Sequence, residues 1–88
     1  MADERVAISV ADVWPAEAAD EGVEEGVVVN WFTREGGSVS EGETVCEIQL
    51  EKVSIDVPAP ATGTLVTVEI GEDEAIREDS VLGYIEPA

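Results

Sequence analysis

The 88-residue sequence has no histidine, and only Arg5, Arg34, Lys52 and Arg77 carry positive charge. The missing imidazole excludes a histidine general base, a Ser-His-Asp triad and a histidine metal site. Against four basic residues stand 21 acidic ones, a net charge of −17. Phosphates would be repelled, so no nucleic acid and no membrane surface is expected as a partner. A single cysteine, Cys46, excludes an internal disulfide. No apolar run has the length of a membrane span. The acidic opening Met1-Ala2-Asp3-Glu4-Arg5 lacks the basic start and apolar stretch of a targeting signal. The expectation is a soluble, cytoplasmic domain.

What is present is enough for one modest core. Apolar residues make up 44% of the chain, so folding is expected rather than disorder. A chain this short buries only about two thirds of the surface it exposes when unfolded. One domain over residues 1–88 is expected, with a core at about 5–86 and a variable acidic loop at 11–25. There is no room for the separate cofactor and substrate domains of most stand-alone enzymes. The dense carboxylates and scarce lysine also read as adaptation to high salt, because like charges within a Debye length destabilise the compact state at low ionic strength.

The patterning is β throughout. Val6, Ile8 and Val10 alternate with small residues at period two. Residues 11–25 follow as a loop in which 16–21 can form a single helical turn. Strands are predicted over 27–32, 44–50, 53–57, 63–70 and 80–85. Turn signals lie at Glu35-Gly36-Gly37-Ser38, Glu41-Gly42-Glu43 and 71–74. Pro58-Ala59-Pro60 is expected to leave the ladder, because proline cannot donate to it. Many short strands with close turns predict a sandwich or flattened barrel.

The chain also repeats itself. A shift of 37 residues lays 26–49 on 63–86 without a gap, with identities at Gly26/Gly63, Val29/Val66, Glu35/Glu72, Glu41/Glu78 and Ile48/Ile85. Apolar positions coincide at Val28/Leu65, Trp31/Val68, Val39/Ile76 and Val45/Leu82, so each half would bury the same face. Two similar halves imply a pseudo-twofold domain of two small sheets. The joining segment, 50–62, is unique and holds the only lysine.

Within that segment Glu51-Lys52 reads as the loop of a β-hairpin. Leu50 then faces Val53, Gln49 faces Ser54, Ile48 faces Ile55, Glu47 faces Asp56 and Cys46 faces Val57. Apolar meets apolar and polar meets polar, as directly opposite residues of an antiparallel pair share a face. Moving the turn by one residue breaks the match. Neither loop residue is the glycine that tight hairpin turns favour, so something other than turn propensity selects them. A lysine at the tip presents its ammonium clear of the sheet on a four-carbon stem. An enzyme that modifies ε-amines has one target here.

The stretch Val45-Cys46-Glu47-Ile48-Gln49-Leu50-Glu51-Lys52-Val53-Ser54-Ile55-Asp56-Val57-Pro58-Ala59-Pro60-Ala61-Thr62-Gly63-Thr64-Leu65 resembles the attachment region of lipoyl domains, which occur in the acyltransferase subunits of 2-oxo acid dehydrogenase complexes. Gly36 and Gly63 stand at the family's glycine offsets from the lysine, and Glu25-Gly26-Val27-Val28-Val29-Asn30-Trp31 resembles its second strand. The resemblance covers about 24–86. It implies an all-β flattened barrel or sandwich of two four-stranded antiparallel sheets, with termini and lysine at opposite ends. It implies lipoic acid in amide linkage on Lys52, attached by a lipoate ligase or lipoyl transferase that reads Glu51 and Val53. It also implies a carrier rather than an enzyme, a swinging arm visited by a thiamin-dependent 2-oxo acid dehydrogenase, an acyltransferase and a dihydrolipoyl dehydrogenase. The family more often has Asp at position 51 and Glu at position 49, and its glycine-rich first loop is replaced here by Trp14-Pro15-Ala16-Glu17-Ala18-Ala19-Asp20. That loop lies near the attachment site in the family and helps partner enzymes choose their domain.

Two rival readings stand beside it. A biotin carboxyl carrier shares the fold but flanks its lysine with methionines, whereas Met1 is the only methionine here. An unmodified β interaction module would leave Lys52 incidental. Elsewhere, the register turns Cys46 inward as a small apolar group. Trp31 is expected in the core, and Trp14 over the barrel or against a partner. The clusters Glu24-Glu25 and Glu72-Asp73-Glu74 lack the spacing of a calcium loop and read as solvated surface. No metal site and no catalytic residue is expected.

Overall fold

The computed structural model of the chain describes residues 4–88. Eight strands form two antiparallel sheets: β1 (Val6–Ser9), β2 (Gly26–Trp31), β3 (Ser38–Val39), β4 (Thr44–Leu50), β5 (Val53–Pro58), β6 (Gly63–Val68), β7 (Ala75–Ile76) and β8 (Val81–Pro87). One sheet runs in the order β1-β8-β6-β3 and the other β5-β4-β2-β7. A 3₁₀ turn (Val10–Asp12) and a five-residue helix, α1 (Ala16–Asp20), occupy the loop between β1 and β2. The sheets face each other without closing, so the expected all-β flattened sandwich of two four-stranded sheets is the observed architecture. Between them lie Val28, Val45, Ile48, Leu65, Leu82 and Ile85, each with no accessible surface. The pleat sends Val28, Ile48, Leu65 and Ile85 inward, and Val45 and Leu82, each three residues before Ile48 and Ile85, join them at the register shifts that leave them unpaired against β5 and β1.

The internal repeat is a structural symmetry. The two sheets are equivalent when β2, β4, β5 and β7 are exchanged for β6, β8, β1 and β3. Each half lends its two-residue strand to the sheet of the other: β3 pairs with β6, and β7 with β2. Irregularities fall at matching places, between Val28 and Asn30 and between Leu65 and Thr67. Hydrogen bonds repeat as well. The Leu65 N–H donates to the Gly37 carbonyl at 2.9 Å, and the Val28 N–H to the Glu74 carbonyl at 3.0 Å. The Val68 N–H donates to Glu35 Oε2 at 2.7 Å, and the Trp31 N–H to Glu72 Oε2 at 3.0 Å. The Glu35/Glu72 identity therefore marks a reciprocal pair, each carboxylate capping a free N–H at the end of the other half's long strand.

Two further matches have a steric origin. A Cβ on Gly26 would lie 2.7 Å from the Gln49 carbonyl, and one on Gly63 would collide with the Glu86 carbonyl. These sites are equivalent, and at both a backbone passes too close for any side chain. At the turn before β3, Gly36 has φ +91°, and its counterpart Asp73 has φ +71°. Glycine enters that region without cost, and aspartate is among the few other residues that visit it.

Several boundaries differ from expectation. The strands β3 and β7 are absent from the sequence reading, because two residues are too short to show a period. Val10 opens the 3₁₀ turn instead of ending β1; its N–H donates to the Ser80 carbonyl at 3.0 Å. The strand predicted over 63–70 stops at Val68, and the last strand runs on through Pro87. Pro58 stays in register opposite Thr44 rather than leaving the ladder. It can do so because β5 is an edge strand, with no neighbour on one side to require its missing donor.

Candidate functional site

The predicted hairpin is observed in register: Leu50↔Val53, Gln49↔Ser54, Ile48↔Ile55, Glu47↔Asp56 and Cys46↔Val57. Glu51 and Lys52 form the two-residue turn between β4 and β5. Glu51 has φ +57° and Lys52 has no positive φ. A positive φ at the first central position of a two-residue hairpin loop is what glycine normally supplies. A glutamate there is held against its preference, which is tolerated only where the surroundings over-determine it. The clamp is visible at the base of the turn, where Leu50 is 2% exposed.

Lys52 itself is exposed, as are Glu51 and Val53. Val53, an apolar side chain next to the lysine, leaves 56% of its surface in solvent. The molecule measures 42 × 20 × 19 Å. At the hairpin, Glu51 lines a cleft with Val23 and Arg77, and β8 starts close by at Val81. From that end β8 runs to Pro87, opposite Gly63, while β1 enters at Val6 beside Ile85. The described chain ends therefore lie at the far end from Lys52, as the resemblance implies.

The acidic loop contributes to the hairpin end. A cleft of about 300 Å³ separates α1 from the hairpin, with Pro15, Ala18 and Val23 on one wall and Leu50, Glu51 and Val53 on the other. The sequence reading placed the loop near the site through the resemblance but did not identify Ala18 or Val23. The only local signal is their apolar character among glutamates. Trp14 is 8% exposed and packs on the core, with its Nε1 buried and unpartnered, so packing is its role here.

Cys46 is fully buried, as the register requires. Burial pushes its thiol up from 9.0 to about 12, and the nearby carboxylates of Glu72 and Glu47 add to the effect. It is an inert core group, because the thiolate is the reactive form. Trp31 is half-buried against the core and donates its Nε1–H to the Ile70 carbonyl at 2.8 Å. Among the described residues no cluster of three or more Cys, Asp or Glu could hold a metal ion, and no helix is long and apolar enough to cross a membrane.

Comparison with known proteins agrees with this geometry. The biotin/lipoyl family model, described as "Biotin-requiring enzyme", matches residues 15–85. The chain is 35% identical over 66 residues to the dihydrolipoyllysine-residue acetyltransferase component of the pyruvate dehydrogenase complex of Acholeplasma laidlawii, covering 75% of this chain and 12% of that protein. It is 35% identical over 52 residues to the same component from Staphylococcus aureus, 59% of this chain and 12% of the relative. The chain thus spans about an eighth of the curated relatives it matches. In structure it is similar to the lipoyl domain of the 2-oxoglutarate dehydrogenase complex of Azotobacter vinelandii, with a TM-score of 0.65, 25% identity, and coverage of 76% of this chain and 86% of that one. The chain belongs to the biotin/lipoyl family. Within it, the chain is a lipoyl domain.

Proposed function

We propose that Lys52 carries lipoic acid in amide linkage, and that the domain serves as the mobile acyl carrier of a cytoplasmic 2-oxo acid dehydrogenase complex. The observation that carries this reading is the position of the only lysine, exposed at the apex of a hairpin whose register is fixed by five matched pairs. The site fits the group: Lys52 is exposed at the turn, and Leu50 at its base is buried. When bound, the group supplies a dithiolane that accepts acyl groups and electrons. The protein contributes presentation, not bond making. Lys52 Nζ supplies the amide nitrogen and loses its charge. Glu51 and Val53 flank it as the features a lipoate ligase or lipoyl transferase reads. Tethering makes each encounter with a dehydrogenase, acyltransferase or dihydrolipoyl dehydrogenase effectively intramolecular. The acidic surface adds weak, steerable contacts suited to repeated release.

Intact-protein mass after incubation with a lipoate ligase, ATP and lipoic acid tests the assignment. A single lipoyl increment that disappears in Lys52→Arg is expected. A biotinyl increment with biotin ligase would favour the biotin carrier instead, and no increment with either enzyme would leave only an interaction module.

A further inference from the structure

We propose that the hairpin end is kept free of nucleophiles toward the acyl thioester borne by the arm on Lys52, with Arg77 as the cation that the arm can touch without losing its acyl group, a role that rests on the carrier reading above. A thioester is an activated acyl group, and a neutral amine within reach consumes it. The amine nitrogen attacks the carbonyl carbon, a C–N bond forms, the C–S bond breaks, and the proton passes from nitrogen to the departing thiolate. The products are a stable amide on the protein and an empty arm. Tethering sharpens the hazard, because a short flexible tether holds the thioester at roughly millimolar concentration around its own domain.

The chain has little that attacks. Lys52 is the only lysine, and as an amide its nitrogen is spent. No histidine is present, either to attack or to take the proton of Ser54, an exposed hydroxyl two residues from Lys52. Cys46, the only thiol, has no accessible surface. Glu17, Glu21 and Glu51 line one cleft at the turn and Glu24 another. Such carboxylates do not keep an acyl group, because a carboxylate is the weaker base and leaves the tetrahedral intermediate in preference to a thiolate.

The other positive charges, Arg5, Arg34 and Arg77, are all arginine. A guanidinium keeps its proton in proteins and so has no amine lone pair to offer. The choice matters most at Arg77. Ile76 of β7 pairs with Gly26, which lies against Leu50 and the Gln49 carbonyl at the base of the turn. The next residue, Arg77, is thereby delivered to the hairpin end. Its N–H donates to Ser80 Oγ at 2.8 Å, and its exposed side chain shares a cleft with Glu51. Arg5 is remote. Ser9 sits beside Val57 and Pro58, about 16 Å along β5 from the turn, and Arg5 lies four residues beyond it on the chain. An arm roughly 15 Å long by its covalent bonds does not span that distance.

Wild type, Arg77→Lys and Arg5→Lys provide the test, each lipoylated once, with the increment mapped to Lys52 by peptide mass. Both substitutions keep the charge and change only the nucleophile. The arm is reduced with a phosphine, S-acetylated at pH 7 and moved to pH 9, where roughly one lysine amine in 25 is neutral. Hydroxylamine strips acetyl from sulfur but not from an amide, so surviving acetyl reports transfer to nitrogen. With the protein at about 10 μM, far below the concentration a tether supplies, Arg77→Lys should fix acetyl on residue 77 at least about tenfold faster than Arg5→Lys fixes it on residue 5. Wild type should fix none on residues 4–88. Acetyl fixed there in wild type, or equal rates in the two variants, would overturn the proposal and leave the carrier reading intact. Absence of any lipoyl increment would overturn both.

Discussion

Replacing Glu51 by glycine separates what the hairpin turn needs from what its reader needs. Glu51 is held at φ +57°, where an L-residue is disfavoured by roughly 1–2 kcal/mol. Glycine removes that strain but loosens the unfolded chain, at a cost of roughly 0.5–1 kcal/mol. The difference leaves Glu51→Gly more stable by about 0.5–1 kcal/mol. For a domain of this size about 1 kcal/mol moves the melting temperature by roughly 4–8 °C, so a rise of about 2–8 °C is expected. The modification should move the other way, with slower lipoylation by mass-resolved time course. Asp73→Gly is the control. Its φ of +71° is similar and it lies away from the hairpin, but aspartate tolerates the region better, so a smaller rise and unchanged lipoylation are expected. A fall in the melting temperature of Glu51→Gly would refute the strain argument, and an unchanged lipoylation rate would refute the view that the glutamate is kept for recognition.

The reciprocal carboxylates give a symmetry test: Glu35→Ala and Glu72→Ala each leave one strand-end N–H to solvent and should cost about 1 kcal/mol apiece in urea unfolding, near equally. Unequal losses of several-fold would show that the two halves are not energetically equivalent. Cys46 binds its proton more tightly folded than unfolded, so its contribution is fully present below pH 9.0 and is lost as pH rises from there towards about 12. Wild type should therefore lose stability across that range more steeply than Cys46→Val, and Ellman's reagent should leave the native thiol unreacted at pH 8. Salt should stabilise the domain, because a net charge of −17 and the directly opposed Glu47/Asp56 pair are both screened by it. A melting temperature that does not rise between 0.05 and about 2 M potassium chloride, compared at equal pH, would contradict this.

The parts of the fold that the sequence makes legible are those where one rule acts locally. Alternation along 44–57 is set by the pleat and specifies the hairpin register residue by residue. The 37-residue repeat exposes the pairing of halves, because buried positions must recur. Boundaries fail where a distant partner decides. Ser38–Val39 is a strand only because β6 lies beside it, and Ala75–Ile76 only because β2 does. Pro58 keeps its place because an edge has no further neighbour, which alternation cannot reveal. At the site, Lys52 stands out by being alone. Ala18 and Val23 do not, since their meaning depends on a loop folding back across the sheet end.

The exchange of β3 and β7 has a consequence for how such a body holds together. Neither half owns a finished sheet, so the molecule behaves as a clasp: opening one side releases the other. A break at residues 59–61 would yield two fragments that are unstructured apart and regain order only when mixed. The lysine-bearing ribbon is then more than a display stand, because it runs directly into the single stretch of chain that joins the two interlocked pieces.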